Sequence, residues 1–169
     1  SQQEALKELA HDKNVASQVD FTGWLADAPL RALVRDADVA VVPSIYEPFG
    51  MVALEAAVLG TPVVASRAGG LAEFLDNDRH GWSFDAGNAR ELANAVISCV
   101  NDAQESRARA DRAQSRVLAE HGWASITERI VGEYRATQAN ALTRGRGARQ
   151  AGGAWGDDVE NNGNRWFHV

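Results

Sequence analysis

The apolar and polar positions of this chain follow a helical period in some segments and a strand period in others. Residues 2–12 carry two leucines at helical spacing and predict a short helix. In SQVDFTG, Val19 and Phe21 alternate with polar neighbours, which predicts a strand that ends in a turn. A second helix is predicted in PLRALVRDAD, because Pro29 suits a first helical position and the leucines after it share one face.

The middle of the chain continues this alternation. VAVVPS is a β-branched run stopped by Pro43, which predicts a strand buried on both sides. A helix is expected from about Gly50 to Leu59, then a buried strand (VVAS), a short helix (LAEFLD), a strand (HGWSF) and a helix (NARELANAVISCV). Strands that alternate with helices and are apolar on both faces form parallel sheets. The predicted fold class is therefore α/β, with a Rossmann-like parallel sheet flanked by helices.

The last third of the chain changes character. Residues 103–119 are rich in Ala, Arg and Glu and predict a solvated helix, and WASITERIVGEYRAT predicts a second helix with an apolar face. From residue 143 the period is lost and Gly and Asn become frequent, so the entropy cost of ordering should exceed the gain from burial. We expect one domain over residues 1–142, closed by this last helix, and a disordered tail over residues 143–169.

Composition narrows the functional classes. The chain of 169 residues is 45% hydrophobic and 24% charged, which is typical of a soluble globular domain. It has no apolar run approaching the roughly 20 residues of a transmembrane helix. With a net charge of -6 and no basic cluster among aromatics, nucleic acid is not an expected partner. The single cysteine, Cys99, excludes an internal disulfide, favours a cytoplasmic location and lies on a helix stripe that predicts burial.

Three loops should lie at the carboxyl edge of the sheet, where ligands bind in open α/β folds. They are GWLAD, SIYEPFG and SRAGG. In the middle loop, Pro48 biases Glu47 toward extended backbone and Gly50 allows close approach of a ligand. The helix that begins there should direct unpaired N–H groups into the crevice, which suits phosphate or hydroxyl oxygens.

Glu55 is the one acid between Met51 and Leu59, a segment that otherwise predicts core. Burial of an ionised carboxylate is costly without partners. The two adjacent hydroxyls of a ribose would supply such partners, at about 1.5–3 kcal/mol for each charge-assisted hydrogen bond. Two other environments stay open, namely an ion pair with an arginine such as Arg67 and a position facing water at the rim.

The segment VPSIYEPFGMVALEAAVLGTPVVASRAGGLAE resembles the signature region of the retaining family 4 glycosyltransferases of the GT-B fold. Their two glutamates, which have seven residues between them, match Glu47 and Glu55. The surrounding pattern fits in order, and the resemblance extends over about residues 4–138. It implies that the sheet is the C-terminal half of a GT-B fold, incomplete at its N-terminus.

The resemblance also implies roles for individual residues. Contacts to the donor sugar and phosphate fall on Glu47, Phe49, Gly50 and Met51. Contacts to the nucleotide, with Glu55 on the ribose and Leu25 near the base, fall on Leu25, Glu55, Gly69 and Gly70. A tight turn explains the two glycines equally well, and His80 is expected to be a loop residue rather than a catalytic base.

The implied function is retaining transfer of a glycosyl group from a nucleotide-diphosphate sugar, with no cofactor and no metal. The acceptor is not defined by the sequence. The family has an N-terminal domain that contacts the acceptor, and a Gly-Arg and Lys pair that grips the diphosphate, to which Lys7 and Lys13 do not correspond. We therefore expect this chain to bind the donor and to lack transferase activity by itself.

Two alternatives remain at this stage. A sugar phosphorylase or a nucleotide-sugar epimerase could share the fold, although the acid pair fits the first better than the second. A non-catalytic remnant or interaction module is the other alternative. Binding of UDP, GDP or ADP separates a nucleotide-binding domain from such a remnant.

Overall fold

The structure is a computed structural model that describes residues 2–150. Its strands are β1 (Ala40–Val42), β2 (Val63–Ser66) and β3 (Trp82–Phe84). The helices are α1 (Gln2–Asp12), α2 (Asp27–Asp36), α3 (Met51–Val58), α4 (Gly70–Leu75), α5 (Ala89–Asn101), α6 (Ala103–Glu120) and α7 (Trp123–Gln150). A 3-10 turn at Ala16–Gln18 precedes α2. The predicted alternation of strands and helices from residue 39 to residue 101 is confirmed.

The three strands form one parallel sheet in the order β1-β2-β3. Every residue of the central strand β2 is buried. Its side chains alternate between two cores, because successive residues of a strand point to opposite faces. Val63 and Ala65 join the core formed with α3, α4 and α6, and Val64 joins the core formed with α5. The predicted α/β fold class is confirmed.

Helix α6 was predicted to be solvated, and this prediction is wrong for one of its faces. Four residues of that face are buried, namely Ser106, Ala110, Ala113 and Val117. Ala113 and Val117 belong to the same core as Ala53, Leu54 and Ala57 of α3. Small side chains on both helices let their backbones approach closely, so α6 fixes the position of α3. Cys99, predicted to be core, is buried beside Val64 and Phe84.

Two strand predictions are corrected. The strand predicted at Val19 and Phe21 is not formed, although Val19 has extended backbone (φ -120°, ψ 118°). A strand is stable only when its N–H and C=O groups pair with a neighbour, and the described residues provide none here. Strand β1 was predicted to be buried on both sides, but it lies at the sheet edge and Val41 is 39% exposed.

The described part of the chain divides into two units, with the boundary after His121. In the second unit, α7 continues to Gln150, eight residues beyond the predicted end of the domain at 142. The remainder of the predicted tail, residues 151–169, lies outside the described residues. No helix within residues 2–150 combines the length and the apolar character needed to span a bilayer.

Substitution of Ala113 by Leu should destabilise the first unit. Ala113 is 1% exposed at the contact with α3, and insertion of a larger side chain into a packed core costs about 1–3 kcal/mol of unfolding free energy. Ala119→Leu places the same side chain at an exposed position of the same helix and is the matched control. Urea denaturation measures both, and equal midpoints for the two variants would contradict the close packing of α3 and α6.

Candidate functional site

The three strands end at the same edge, and hydrogen bonds join the loops that follow them. The Ser66 hydroxyl donates to the Ser44 carbonyl oxygen, which connects the end of β2 to the loop after β1. The Arg67 N–H donates to the Phe84 carbonyl oxygen at 2.8 Å, which connects β2 to the end of β3. Two of the predicted loops, SIYEPFG and SRAGG, are thus brought together as expected for a site at the carboxyl edge.

The loop that carries Glu47 lies directly against the glycine turn before α4. The Gly70 N–H donates to the Glu47 carbonyl oxygen at 3.0 Å. A Cβ atom at Gly69 would overlap that carbonyl oxygen, and a Cβ at Gly70 would lie 2.6 Å from the carbonyl oxygen of Phe49. Gly69 also has a φ of +48°, which L side chains rarely adopt. Both glycines are therefore required by the close approach of two backbones.

The carboxylate of Glu47 binds the backbone of the turn that leads into α3. Its Oε1 accepts hydrogen bonds from the N–H groups of Gly50, at 3.0 Å, and Phe49, at 3.5 Å. The predicted open N-terminus of α3 is thus partly occupied by the protein's own acid. Among the hydrogen bonds of residues 2–150, none uses the N–H groups of Met51 or Val52 or the Oε2 atom of Glu47. These three groups are available to a ligand at the mouth of the site.

Glu55 is exposed, so the prediction that it is buried among apolar neighbours is wrong. The buried stripe of α3 consists of Ala53, Leu54, Ala56 and Ala57. Glu55 lies on the opposite face, which it shares with exposed Met51 and Val58. A helix can be apolar nearly all round and still bury only the face that meets its neighbours. Of the environments left open by the sequence, the position facing water is the one observed.

Arg67 does not pair with Glu55, because other acids occupy its guanidinium. Its Nε and Nη2 donate to Asp85 Oδ1 at 3.0 and 2.7 Å, and Nη2 also reaches Glu91 Oε2 at 3.3 Å. The hydrogen bond to Asp85 is the main cause that raises the pKa of Arg67 above its ordinary value. This cluster ties the turn after β2 to the start of α5, beside the candidate site.

Sequence reasoning missed the Arg67 cluster, although one signal for it was present. Asn88 caps α5, because its side chain accepts a hydrogen bond from the Glu91 N–H at 3.2 Å. Glu91 at the third helical position is where a capping box places an acid that reaches back toward the loop. Here its carboxylate accepts from the Asp85 N–H at 2.8 Å. The spacing of Asn88 and Glu91 thus pointed to an ordered loop after β3.

The other predicted site residues, Leu25, Phe49 and Met51, make fewer hydrogen bonds at this edge than Glu47 does. Leu25 is half-buried ahead of α2 and takes part in none of the hydrogen bonds that join the loops. Phe49 and Met51 are 56% and 54% exposed beside Glu47. They continue an exposed apolar surface that includes Ile45 and Tyr46. The site is therefore a shallow edge around Glu47.

His80 lies in the loop between α4 and β3, as predicted, at the edge of the sheet opposite Glu47. It is 6% exposed, and its Nδ1 lies 3.0 Å from the Phe74 carbonyl oxygen, to which it can donate. Burial is the main cause that lowers the pKa of His80, and the nearby Arg116 cation adds to this effect. The hydrogen bond to Phe74 and the carboxylate of Asp76 act in the opposite direction.

Comparison with known proteins identifies the family. The family model described as glycosyl transferases group 1 matches residues 1–116. The chain is 38% identical over 138 residues to a glycogen synthase of Mycobacterium tuberculosis, covering 82% of this chain and 33% of that protein. It is 33% identical over 157 residues to a D-inositol 3-phosphate glycosyltransferase of Rhodococcus jostii, covering 90% and 34%. The chain belongs to the group 1 glycosyltransferases and spans about a third of the length of these curated relatives.

Solved structures show the same relationship. A sucrose-phosphate synthase from Thermosynechococcus elongatus aligns with a TM-score of 0.73 at 33% identity, covering 82% of this chain and 35% of that one. HepE from Anabaena, solved in complex with UDP-glucose, aligns with a TM-score of 0.71 at 30% identity, covering 79% and 36%. These neighbours are glycosyltransferases of the GT-B fold.

Substitution of Gly70 by Ala should displace the Glu47 loop. The added methyl group would meet the Phe49 carbonyl oxygen at 2.6 Å, and relief of such a clash by backbone shifts costs about 1–3 kcal/mol of unfolding free energy. Gly132→Ala is the control, because a Cβ at that position meets nothing within 4 Å. The substitution also replaces a glycine inside a helix, which alone should favour the folded state. Denaturation should show Gly70→Ala less stable and Gly132→Ala unchanged or more stable. The reverse order would contradict the observed contact.

The burial of His80 should make stability depend on pH. Because its folded-state pKa lies below the ordinary value of 6.5, the unfolded chain binds the proton more readily, so stability is lost as the pH falls below that value. His80→Asn keeps a donor for the Phe74 carbonyl oxygen and should reduce the slope of unfolding free energy between pH 7 and pH 5. His11→Asn, at an exposed position of α1, tests the effect of losing an imidazole elsewhere. Equal slopes for wild type and His80→Asn would contradict this assignment.

Proposed function

We propose that this chain is the donor-binding part of a retaining family 4 glycosyltransferase and binds a nucleotide-diphosphate sugar without a metal or other cofactor. The observation that carries the proposal is the arrangement around Glu47. Its carboxylate is fixed by two backbone N–H groups, its carbonyl oxygen by Gly70, and its second carboxylate oxygen is available beside the first amides of α3.

This arrangement suits a sugar attached to a phosphate. A carboxylate oxygen held in place can accept a hydrogen bond from a sugar hydroxyl with little loss of side-chain freedom on binding. The amides of Met51 and Val52 lie at the positive end of α3 and can donate to phosphate oxygens. One ligand that carries both groups would satisfy all three free positions of this edge.

Glu55 is proposed to hold the ribose, although it does so at an exposed position. From Gly50, where the mouth of the site lies, Glu55 is just over one helical turn along α3. Two adjacent hydroxyls can still bind its two oxygens, but water competes for them. We therefore expect a smaller contribution from Glu55 than a buried carboxylate would make.

Retention is proposed to proceed with the leaving diphosphate stabilised by positioned donors, which is the electrostatic form of catalysis. Glu47 is engaged by the loop and by the sugar, and Glu55 by the ribose. Neither acid is then available as the nucleophile of a double displacement. The N-terminal domain of such an enzyme would supply the acceptor contacts, and a cytoplasmic location follows from the use of a nucleotide sugar in a chain with one buried thiol.

Calorimetric titration with UDP, GDP, ADP and UDP-glucose tests this function. UDP-glucose is included because HepE was solved with it. Glu55→Ala should weaken both the preferred nucleotide and its sugar conjugate about tenfold, the loss expected for one charge-assisted contact. Glu47→Gln keeps an oxygen for the Gly50 N–H, so it should weaken the nucleotide sugar alone. The two variants thus report on different parts of one ligand.

Glu8→Gln is the control, because it makes the same charge change at an exposed position of α1. The chain by itself should not turn over UDP-glucose, since the proposed acceptor contacts and diphosphate cations lie outside these residues. Absence of binding to all four probes would contradict the proposed function and favour an interaction module. Binding that is indifferent to Glu55→Ala would contradict the ribose assignment.

A further inference from the structure

The loop that carries Glu47 has an aromatic neighbour at the end of α6. The ring centroids of Phe49 and His121 are 6.2 Å apart, and the two ring planes meet at 78°. This is the edge-to-face geometry that aromatic pairs prefer. Phe49 lies between Glu47 and Gly50, so whatever fixes its ring also fixes the backbone whose N–H groups bind the Glu47 carboxylate.

His121 is itself held in place by the packing of α6. Its N–H donates to the Val117 carbonyl oxygen at 2.9 Å, which extends the hydrogen bonding of the helix to His121. Val117 is 5% exposed and belongs to the core that α6 shares with α3. His121 therefore has a fixed position relative to α3, the helix that starts at the Glu47 loop.

No hydrogen bond of the Nδ1 atom holds the His121 imidazole in place among the described residues. That atom is buried, and it has no partner among the residues that the structure describes. A buried polar atom without a partner is unfavourable, so its hydrogen-bonding capacity does not explain this site. The contact with Phe49 is the interaction of the ring that the structure shows.

We infer that His121 is a positioning residue, which acts through Phe49 to hold the segment from Glu47 to Gly50 in its ligand-binding conformation. Phe49 is 56% exposed, so few other contacts restrain its ring. Without the His121 ring, Phe49 is free to leave the position in which its N–H meets Glu47 and its carbonyl oxygen abuts Gly70. The identity of the ligand that binds this loop rests on the proposed function. The conformational order of the loop does not, because it can be measured without any ligand.

Amide hydrogen exchange at Phe49 and Gly50 tests this inference on the full chain without ligand. His121→Ala should raise both rates about two- to tenfold, the change expected when an aromatic pair is lost. His121→Phe should restore the wild-type rates, because it keeps a ring edge toward Phe49. It should also raise the unfolding midpoint, because it removes the unpaired nitrogen. Leu118→Ala, at an exposed position one turn earlier, is the control and should leave the rates unchanged.

Phe49→Leu supplies an independent measurement if His121→Ala does not fold, since Phe49 is largely exposed. It should raise exchange at Gly50. His121→Leu removes the imidazole ring, so it should raise exchange at Gly50 in the wild-type background and have no further effect in the Phe49→Leu background. Unchanged rates in His121→Ala, failure of His121→Phe to restore them, or additive effects of the two positions would each overturn the inference.

Titration with UDP-glucose adds a functional readout that a purely structural role would not change. His121→Ala should weaken binding by the same factor as it raises exchange, and His121→Phe should not weaken it. If the wild-type chain does not bind UDP-glucose, the proposed function fails while the exchange measurements still decide the role of His121. If it binds and His121→Ala binds equally well, the inference fails and the proposed function stands.

Discussion

The ligand-facing edge of this protein depends on one backbone contact that leaves no room for a side chain. The Gly70 N–H binds the Glu47 carbonyl oxygen at 3.0 Å, and Cβ atoms at Gly69 and Gly70 would overlap the Glu47 loop. That loop exposes most of its apolar side chains, so burial alone does not hold it. Hydrogen bonds to main chain and the absence of two methyl groups give it a defined conformation instead.

A second constraint on the same loop is the packing of α3 against α6. Helix α3, which has Gly50 as its N-cap, is positioned by the alanine-rich contact with α6, which has His121 as its C-cap. Because interiors are packed to high density, the helices have little freedom to slide past each other. The start of α3, the Glu47 carboxylate and the Phe49 ring are therefore placed by one continuous set of contacts, which runs from the sheet through two helices to the loop.

The sequence predicted those features that are visible in a local period. The order of helices and strands from residue 39 to residue 101, the parallel sheet and the burial of Cys99 were all confirmed. The exposure of Glu55 was not predicted, because α3 is apolar nearly all round and its neighbours alone decide which face is buried. Val19 and Phe21 show a strand period that forms no strand, since pairing depends on a partner that local sequence does not encode.

The observed geometry changes the physical role of the two acids. The sequence suggested that Glu55 binds strongly because it is buried, yet Glu47 is the acid with the fixed and partly buried carboxylate. One oxygen of Glu47 is used by the loop, so a ligand that binds the other meets a group that is already oriented and loses little entropy in ordering it. Glu55 must instead compete with water for its ligand. Any surface that covers α3 when donor is bound would exclude that water and strengthen the Glu55 contact, whereas it would change the contact of Glu47 much less.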